Sequence, residues 1–242
     1  MRLDVYLCET GFCASRTEAK EYILGGLVCV NGKAVTKPAY AVCDGDKVSI
    51  EGEARKYVSR GGLKLEGALD IFKINVEGAL ALDVGASSGG FTDCLLKHGA
   101  ARVIAVDSGS GQLAQQLRND GRIVSIENYN ARFMKREDLE YEPNLAVMDV
   151  SFISATHIIP AVYSVLTEGG DYILLVKPQF EVGKAGVGKG GIVKDSRLRE
   201  KALADVVKFA ENCGFKTVAT ARSPIEGGDG NIEYLVHFRK ER

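Results

Sequence analysis

From Leu80 onward, short apolar runs alternate with longer stretches of mixed character. The runs near 80–84, 102–107, 122–127, 144–149, 171–177, 215–221 and 233–238 have the length and apolar content of buried strands. Between them, 89–98, 111–118, 154–166 and 196–213 carry apolar residues at helical spacing. This alternation predicts a mainly parallel sheet covered on both faces, with ligands bound beyond the C-terminal strand ends. The first fifty residues follow another pattern. Ser15-Arg16-Thr17-Glu18 has the form of a capping box. A helix with Ala19, Tyr22 and Ile23 on one side follows and ends at Gly25-Gly26. Leu27 to Val30 reads as a strand, Asn31-Gly32 as a hairpin turn, and Lys47 to Ile50 as a further strand after Asp44-Gly45-Asp46. The expected division is a small α+β unit over 1–54, a polar joint over 55–60, and a large α/β domain over 61–242 that opens with a helix toward Phe72.

Composition narrows this picture. With 242 residues, 45% hydrophobic and 26% charged, the chain can bury a sizeable core. No apolar run reaches the roughly 18 residues of a membrane span, and no signal-peptide pattern opens the chain, so a cytoplasmic protein is expected. The six cysteines are scattered without a C-x-x-C pair, and there are three histidines, so no metal site is expected. The formal net charge is −1, and an RNA partner must therefore be argued from where the cations sit.

Candidate chemistry gathers at strand ends. Asp83-Val84-Gly85-Ala86-Ser87-Ser88-Gly89 joins an apolar strand to a helix through small residues, the arrangement that lets backbone approach a nucleotide-like ligand. Asp107 closes the next strand, where an acid binds ribose hydroxyls in NAD and S-adenosylmethionine enzymes alike. The loop lacks G-x-G-x-x-G and no second mononucleotide-binding half follows, which favours S-adenosylmethionine. A second glycine-rich segment, Gly183 to Gly190, approaches a P-loop but has Gly190 where the magnesium-binding Ser or Thr would stand. A mobile cationic loop beside the active site is its expected role. Asp149 and Lys177 end two buried strands on the same rim. A lysine there must be paired or functional.

Residues 1–50 resemble the S4 RNA-binding domain through Arg2-Leu3-Asp4, Ser15-Arg16, Ala19, Gly26, Val28, Val30-Asn31-Gly32, Pro38 and Gly45-Asp46. The resemblance implies a phosphate-binding face, for which Arg2, Arg16, Lys20, Lys33 and Lys37, with Arg60 beyond the module, are the candidates. A solvated surface is the plain alternative for any one of these lysines.

The rest resembles the FtsJ-type ribose 2′-O-methyltransferases, whose Lys-Asp-Lys-Glu tetrad matches Lys64 in Gly61-Gly62-Leu63-Lys64, Asp149 in Met148-Asp149-Val150-Ser151, Lys177 in Val176-Lys177-Pro178, and Glu233 in Asn231-Ile232-Glu233-Tyr234. An S4 domain fused to this domain is the layout of the TlyA, or haemolysin-A-like, rRNA methyltransferases. That resemblance implies a Rossmann-like class I methyltransferase domain on a seven-stranded sheet, S-adenosylmethionine as cofactor, and ribosomal RNA or ribosomal subunits as partner, with cytidine as target. It assigns Gly85, Ser87 and Gly89 to the methionine end of the cofactor, Asp83 to the organisation of their loop, and Asp107 to the ribose. Asn130 reads adenine or forms a turn, and Phe91 lies under the cofactor or in the core. Two other readings stay open here: an S4-type RNA-binding protein without catalysis, and a membrane-active haemolysin.

Overall fold

The computed structural model describes residues 1–13, 15–50, 56–183 and 186–241, without the side chains of Glu18 and Glu21. The chain divides into two units, Met1–Arg55 and Lys56–Arg242.

In the first unit, helices α1 (Leu3–Glu9) and α2 (Arg16–Leu24) accompany a small antiparallel sheet of β1 (Val28–Val30), β2 (Lys33–Ala34) and β3 (Val48–Ile50), in the order β2-β1-β3. The hairpin expected at Asn31-Gly32 forms. Both residues take left-handed φ values, 52° and 74°, as a primed turn between twisted strands requires. Helix α1 was not expected, because two turns are too short for a periodic signal. It forms by burying Leu3 and Leu7 against Ala19, Ile23 and Val28. The amide of Ala19 bonds the Ser15 carbonyl at 2.9 Å, whereas the Glu18 half of the expected capping box lies outside the described residues.

The second unit begins earlier than the expected boundary. Tyr57 is buried with Leu65 and Phe91, so Lys56 to Arg60 belong to this unit and not to an open joint. The glycines explain why: a Cβ on Gly62 would stand 2.3 Å from the Tyr57 ring. Helix α3 (Gly61–Phe72) leads into a seven-stranded sheet. Its strands are β4 (Leu80–Val84), β5 (Arg102–Val106), β6 (Ile123–Ile126), β7 (Leu145–Met148), β8 (Asp171–Val176), β9 (Phe215–Arg222) and β10 (Tyr234–Lys240), in the order β6-β5-β4-β7-β8-β10-β9. Strands β4 to β8 are parallel, and β10 is antiparallel to both its neighbours. Alternate side chains of β4 supply two cores: Leu82 and Val84 face one, Ala81 the other.

Helices α4 (Gly90–Lys97), α5 (Gln115–Arg118), α6 (Ile159–Val165), α7 (Pro178–Glu181) and α8 (Ser196–Asn212) cover or cap the sheet. The expected helix over 154–166 divides into a 3-10 turn, Ala155–His157, and α6. Helix α5 is shorter than expected, since Gly111 has a φ of 66°. Pro178 opens α7 at the first helical position, where its missing N–H costs nothing. No helix among the described residues is long and apolar enough to cross a membrane.

Candidate active site

Strand order reverses at β4: the chain runs outward through β5 and β6, then returns to β7 on the other side. Such a switch point opens a crevice beyond the strand ends. A cavity of about 360 Å³ lies there, lined by Gly85 and Ser87 after β4, Asp107 after β5, Asn130 after β6 and Asp149 after β7. A Cβ on Gly85 would meet the Asp149 carbonyl at 2.5 Å, and φ is 84° there and 47° at Ser87. Only a small-residue loop follows this path. Asp107 is fixed by the amides of Ser87 and Gly109, which donate to its two carboxylate oxygens at 2.8 and 2.7 Å.

Of the residues assigned around the cofactor, Gly89 and Asp83 stand behind the loop, and Phe91 takes the core position of its two expected places. Phe91 is buried in the core beside Gly61 and does not line the cleft. Gly89 lies under Leu113 and Leu117, where its φ of 93° starts α4. Asp83 is 0% exposed and accepts a 2.6 Å bond from Thr92 Oγ1, so it ties the strand to α4 behind the loop. Period-two alternation turns it that way, toward the core of α3 and α4. Asn130 lines the cleft, but its side-chain oxygen also caps the 3-10 turn Ala131–Phe133 through the Arg132 amide.

Burial, with the Asp149 charge adding to it, pushes the Asp83 carboxyl up to about 7 despite the Thr92 bond. The folded protein therefore holds this proton more tightly than the unfolded chain, whose carboxyl titrates near 4. Its contribution to stability falls as pH rises from about 4 to about 7. Asp83→Asn should remove that dependence, so the variant gains Tm relative to the parent more at pH 8 than at pH 4. A gain equal at both pH values contradicts the assignment.

A second cavity, of about 300 Å³, adjoins the cleft through Ser151 and Phe152 and is lined by Lys64, Lys177 and Glu233. The antiparallel insertion of β10 makes this possible. Tyr234, its first residue, pairs with Val176, the last of β8, so Glu233 and Lys177 share one rim. Lys177 Nζ forms an ion pair with Asp149 Oδ1 at 2.5 Å and donates to Ser151 Oγ at 2.8 Å. Lys64, from α3, donates to Glu233 Oε2 at 2.5 Å, with the two side chains 10% and 2% exposed. The four residues thus form two ion pairs around a pocket open to the crevice. Asn231 clasps the glycine-rich segment to this region. Its side chain accepts from the Val193 amide and donates to the Gly191 carbonyl, while Lys184 and Ala185 lie outside the described residues.

Phe152 was missed. It is 92% exposed, takes a φ of 65°, and stands 5.3 Å from Phe180 at the junction of the cavities. A large residue in that conformation costs about 1–3 kcal/mol and points to function. An aromatic three residues beyond a strand-end acid was the only trace in sequence.

In the first unit, the expected cations separate into two kinds. Asp4 is fully buried, accepts two bonds from Arg2 and one from Arg16, and is held well below the usual carboxylate range chiefly by Arg2. Arg2 and Arg16 are therefore structural partners as well as surface cations. Lys20, Lys33 and Lys37 are exposed, and among the described residues none has a carboxylate partner. Arg60, in the second unit, is exposed and donates to the Glu226 carbonyl.

A small-residue loop at the switch point of a seven-stranded sheet, beside a Lys-Asp-Lys-Glu pocket, defines a Rossmann-like methyltransferase. The FtsJ-like methyltransferase family model matches residues 57–240 and the S4 domain model residues 1–48. The chain belongs to the FtsJ-like methyltransferase family, among the S4-containing TlyA and Hemolysin A proteins. It is 49% identical over 239 residues to Hemolysin A of Brachyspira hyodysenteriae, covering 98% of this chain and 99% of that one. It is 44% identical to the 16S/23S rRNA (cytidine-2'-O)-methyltransferase TlyA of Mycobacterium tuberculosis, over 99% of this chain and 90% of the relative. A solved candidate hemolysin from Streptococcus thermophilus superposes with a TM-score of 0.81 at 45% identity, covering 100% of this chain and 88% of that one.

Proposed function

We propose that the chain transfers a methyl group from S-adenosylmethionine to a ribose 2′-hydroxyl of ribosomal RNA, with cytidine as the target nucleoside. The observation that carries this reading is the pair of ion pairs, Lys64–Glu233 and Lys177–Asp149, at a pocket adjoining the glycine-loop cleft. The cleft suits the cofactor: its loop keeps to a path on which any side chain at Gly85 would strike the Asp149 carbonyl, and the Asp107 carboxylate is held at the rim by two amides. Gly85, Ser87, Asp107 and Asn130 would hold it, with Asp83 and Gly89 shaping the loop from behind. S-adenosylmethionine supplies an already activated sulfonium methyl group.

A ribose hydroxyl is a weak nucleophile and must lose its proton as it attacks. Lys177 Nζ, at the pocket wall, orients that hydroxyl or takes its proton. Asp149 and Glu233 hold the two amines, and the exposed Phe152 ring offers a face to the target base. Most of the acceleration is alignment of hydroxyl and methyl. Ribosomal subunits and rRNA from cells lacking this protein, incubated with radiolabelled S-adenosylmethionine, should gain label in alkali-resistant dinucleotides. Binding of the cofactor without ribose labelling overturns the reading.

The S4 unit supplies affinity for RNA. Lys20→Glu combined with Lys37→Glu should weaken RNA binding and flatten its salt dependence by about 0.7 to 0.9 in log–log slope for each phosphate no longer neutralised. Cofactor affinity should not move. An unchanged slope places the RNA face elsewhere. Arg16 is the poorer test, because reversing its charge also disturbs buried Asp4.

A further inference from the structure

A third cavity, of about 770 Å³, lies on the far side of the Phe152–Phe180 pair. It shares Phe152, Phe180, Gln179 and Val187 with the tetrad pocket, and Arg132 and His157 stand among its other walls. We propose that this cavity binds the nucleotide adjoining the target ribose, with Arg132 on its phosphodiester and the aromatic pair against its base. The proposal rests on the reading of the chain as an RNA ribose methyltransferase.

Charge supports this occupant. Asp229 and Glu233 line the tetrad pocket, whereas no carboxylate side chain lines the third cavity among the described residues. Arg132 has no ion pair among the described residues. Its guanidinium lies 5.9 Å from the ring of Phe133, itself 68% exposed. An uncompensated guanidinium beside exposed aromatic faces suits single-stranded nucleic acid, which offers phosphate and base together. A second observation concerns the partition between the two pockets. Gln179 Oε1 is buried there without a hydrogen-bond partner. Gln179 lines both cavities, and a turn of its amide toward either one would bring this acceptor to a base amino group or a ribose hydroxyl. The third cavity is contiguous with the tetrad pocket along the Phe152–Phe180 edge, so a strand with its target nucleotide beside Lys177 can reach it without a break.

The test uses the full chain with rRNA from cells lacking this protein, comparing the parent with Arg132→Ala and Arg132→Lys. KM for RNA should rise about tenfold in Arg132→Ala with kcat little changed. The salt slope should fall by about 0.7, the share of one single-strand phosphate. Arg132→Lys should restore most of the affinity, and Tm and S-adenosylmethionine affinity should match the parent, since the side chain is exposed. An unchanged KM and slope, or a loss confined to kcat, overturns the proposal. If the parent labels no ribose in that RNA, the functional reading falls and takes the proposal with it. Parental labelling alongside an indifferent Arg132→Ala removes the third site alone.

Discussion

Lys177→Ala should yield a folded protein that still binds S-adenosylmethionine but methylates RNA slower by at least about 10² to 10⁴, the range of general acid–base contributions. The side chain is placed for this loss, since Nζ lies at the pocket wall between Asp149 Oδ1 and Ser151 Oγ. Removing it deprives Asp149, whose side chain is 19% exposed and also lines the cleft, of its cation, but water can enter the vacated space, so stability should fall less than on removal of Lys64. Lys177→Arg separates two roles. A guanidinium keeps the positive charge beside Asp149 but cannot take a proton. Arginine activity near the parental rate would mean that Lys177 only orients the hydroxyl; an inactive, folded Lys177→Arg supports proton transfer. Thermal unfolding and single-turnover methylation on the same preparations decide this. A folded Lys177→Ala with near-parental rate removes the residue from the chemistry.

The second large effect belongs to Lys64 and Glu233. Their ion pair is nearly sealed from water, so Lys64→Ala strands a buried carboxylate. Breaking such a pair from one side costs about 3 to 5 kcal/mol. At about 2–4 °C per kcal/mol for a domain of this size, Tm should fall by about 10 °C. Replacing both residues, as Lys64→Met with Glu233→Met, removes both charges at similar volume and should recover most of that stability. Activity should remain lost in the double variant. Recovery of methylation together with stability would show that the pair serves only the fold.

Much of the architecture was legible because strands and helices of the large domain are written in apolar periodicity. The two faces of β4 show the code at work: Leu82 and Val84 go to one core, and Ala81 to the other, as alternation dictates. The glycine loop was legible for a related reason, since small residues between a strand and a helix have few other uses. Asp149 and Lys177 were legible as charged residues closing buried strands, whereas Lys64 and Glu233 were legible only through likeness to a family. Nothing local says that Glu233 lies beside Lys177, because that neighbourhood is made by β10 entering antiparallel between β8 and β9. Strand order is a long-range choice, decided by which apolar faces fit together. The same limit explains the corrections. Asp83 reads as a loop residue yet turns toward the core of α3 and α4, and periodicity alone could not choose between the cofactor and the core for Phe91, which lies in the core. Tyr57 sits in a polar stretch but is buried because Gly62 leaves room for its ring. Arg16 reads as a surface cation, and only the fold brings it to buried Asp4. Phe152 is the reverse case: an aromatic residue that sequence would bury stands in water. The sequence by itself determined which segments are strands and helices and which residue types close them. The tertiary structure alone decided which of those closing residues meet, because their contacts depend on strand order and on which way each side chain turns.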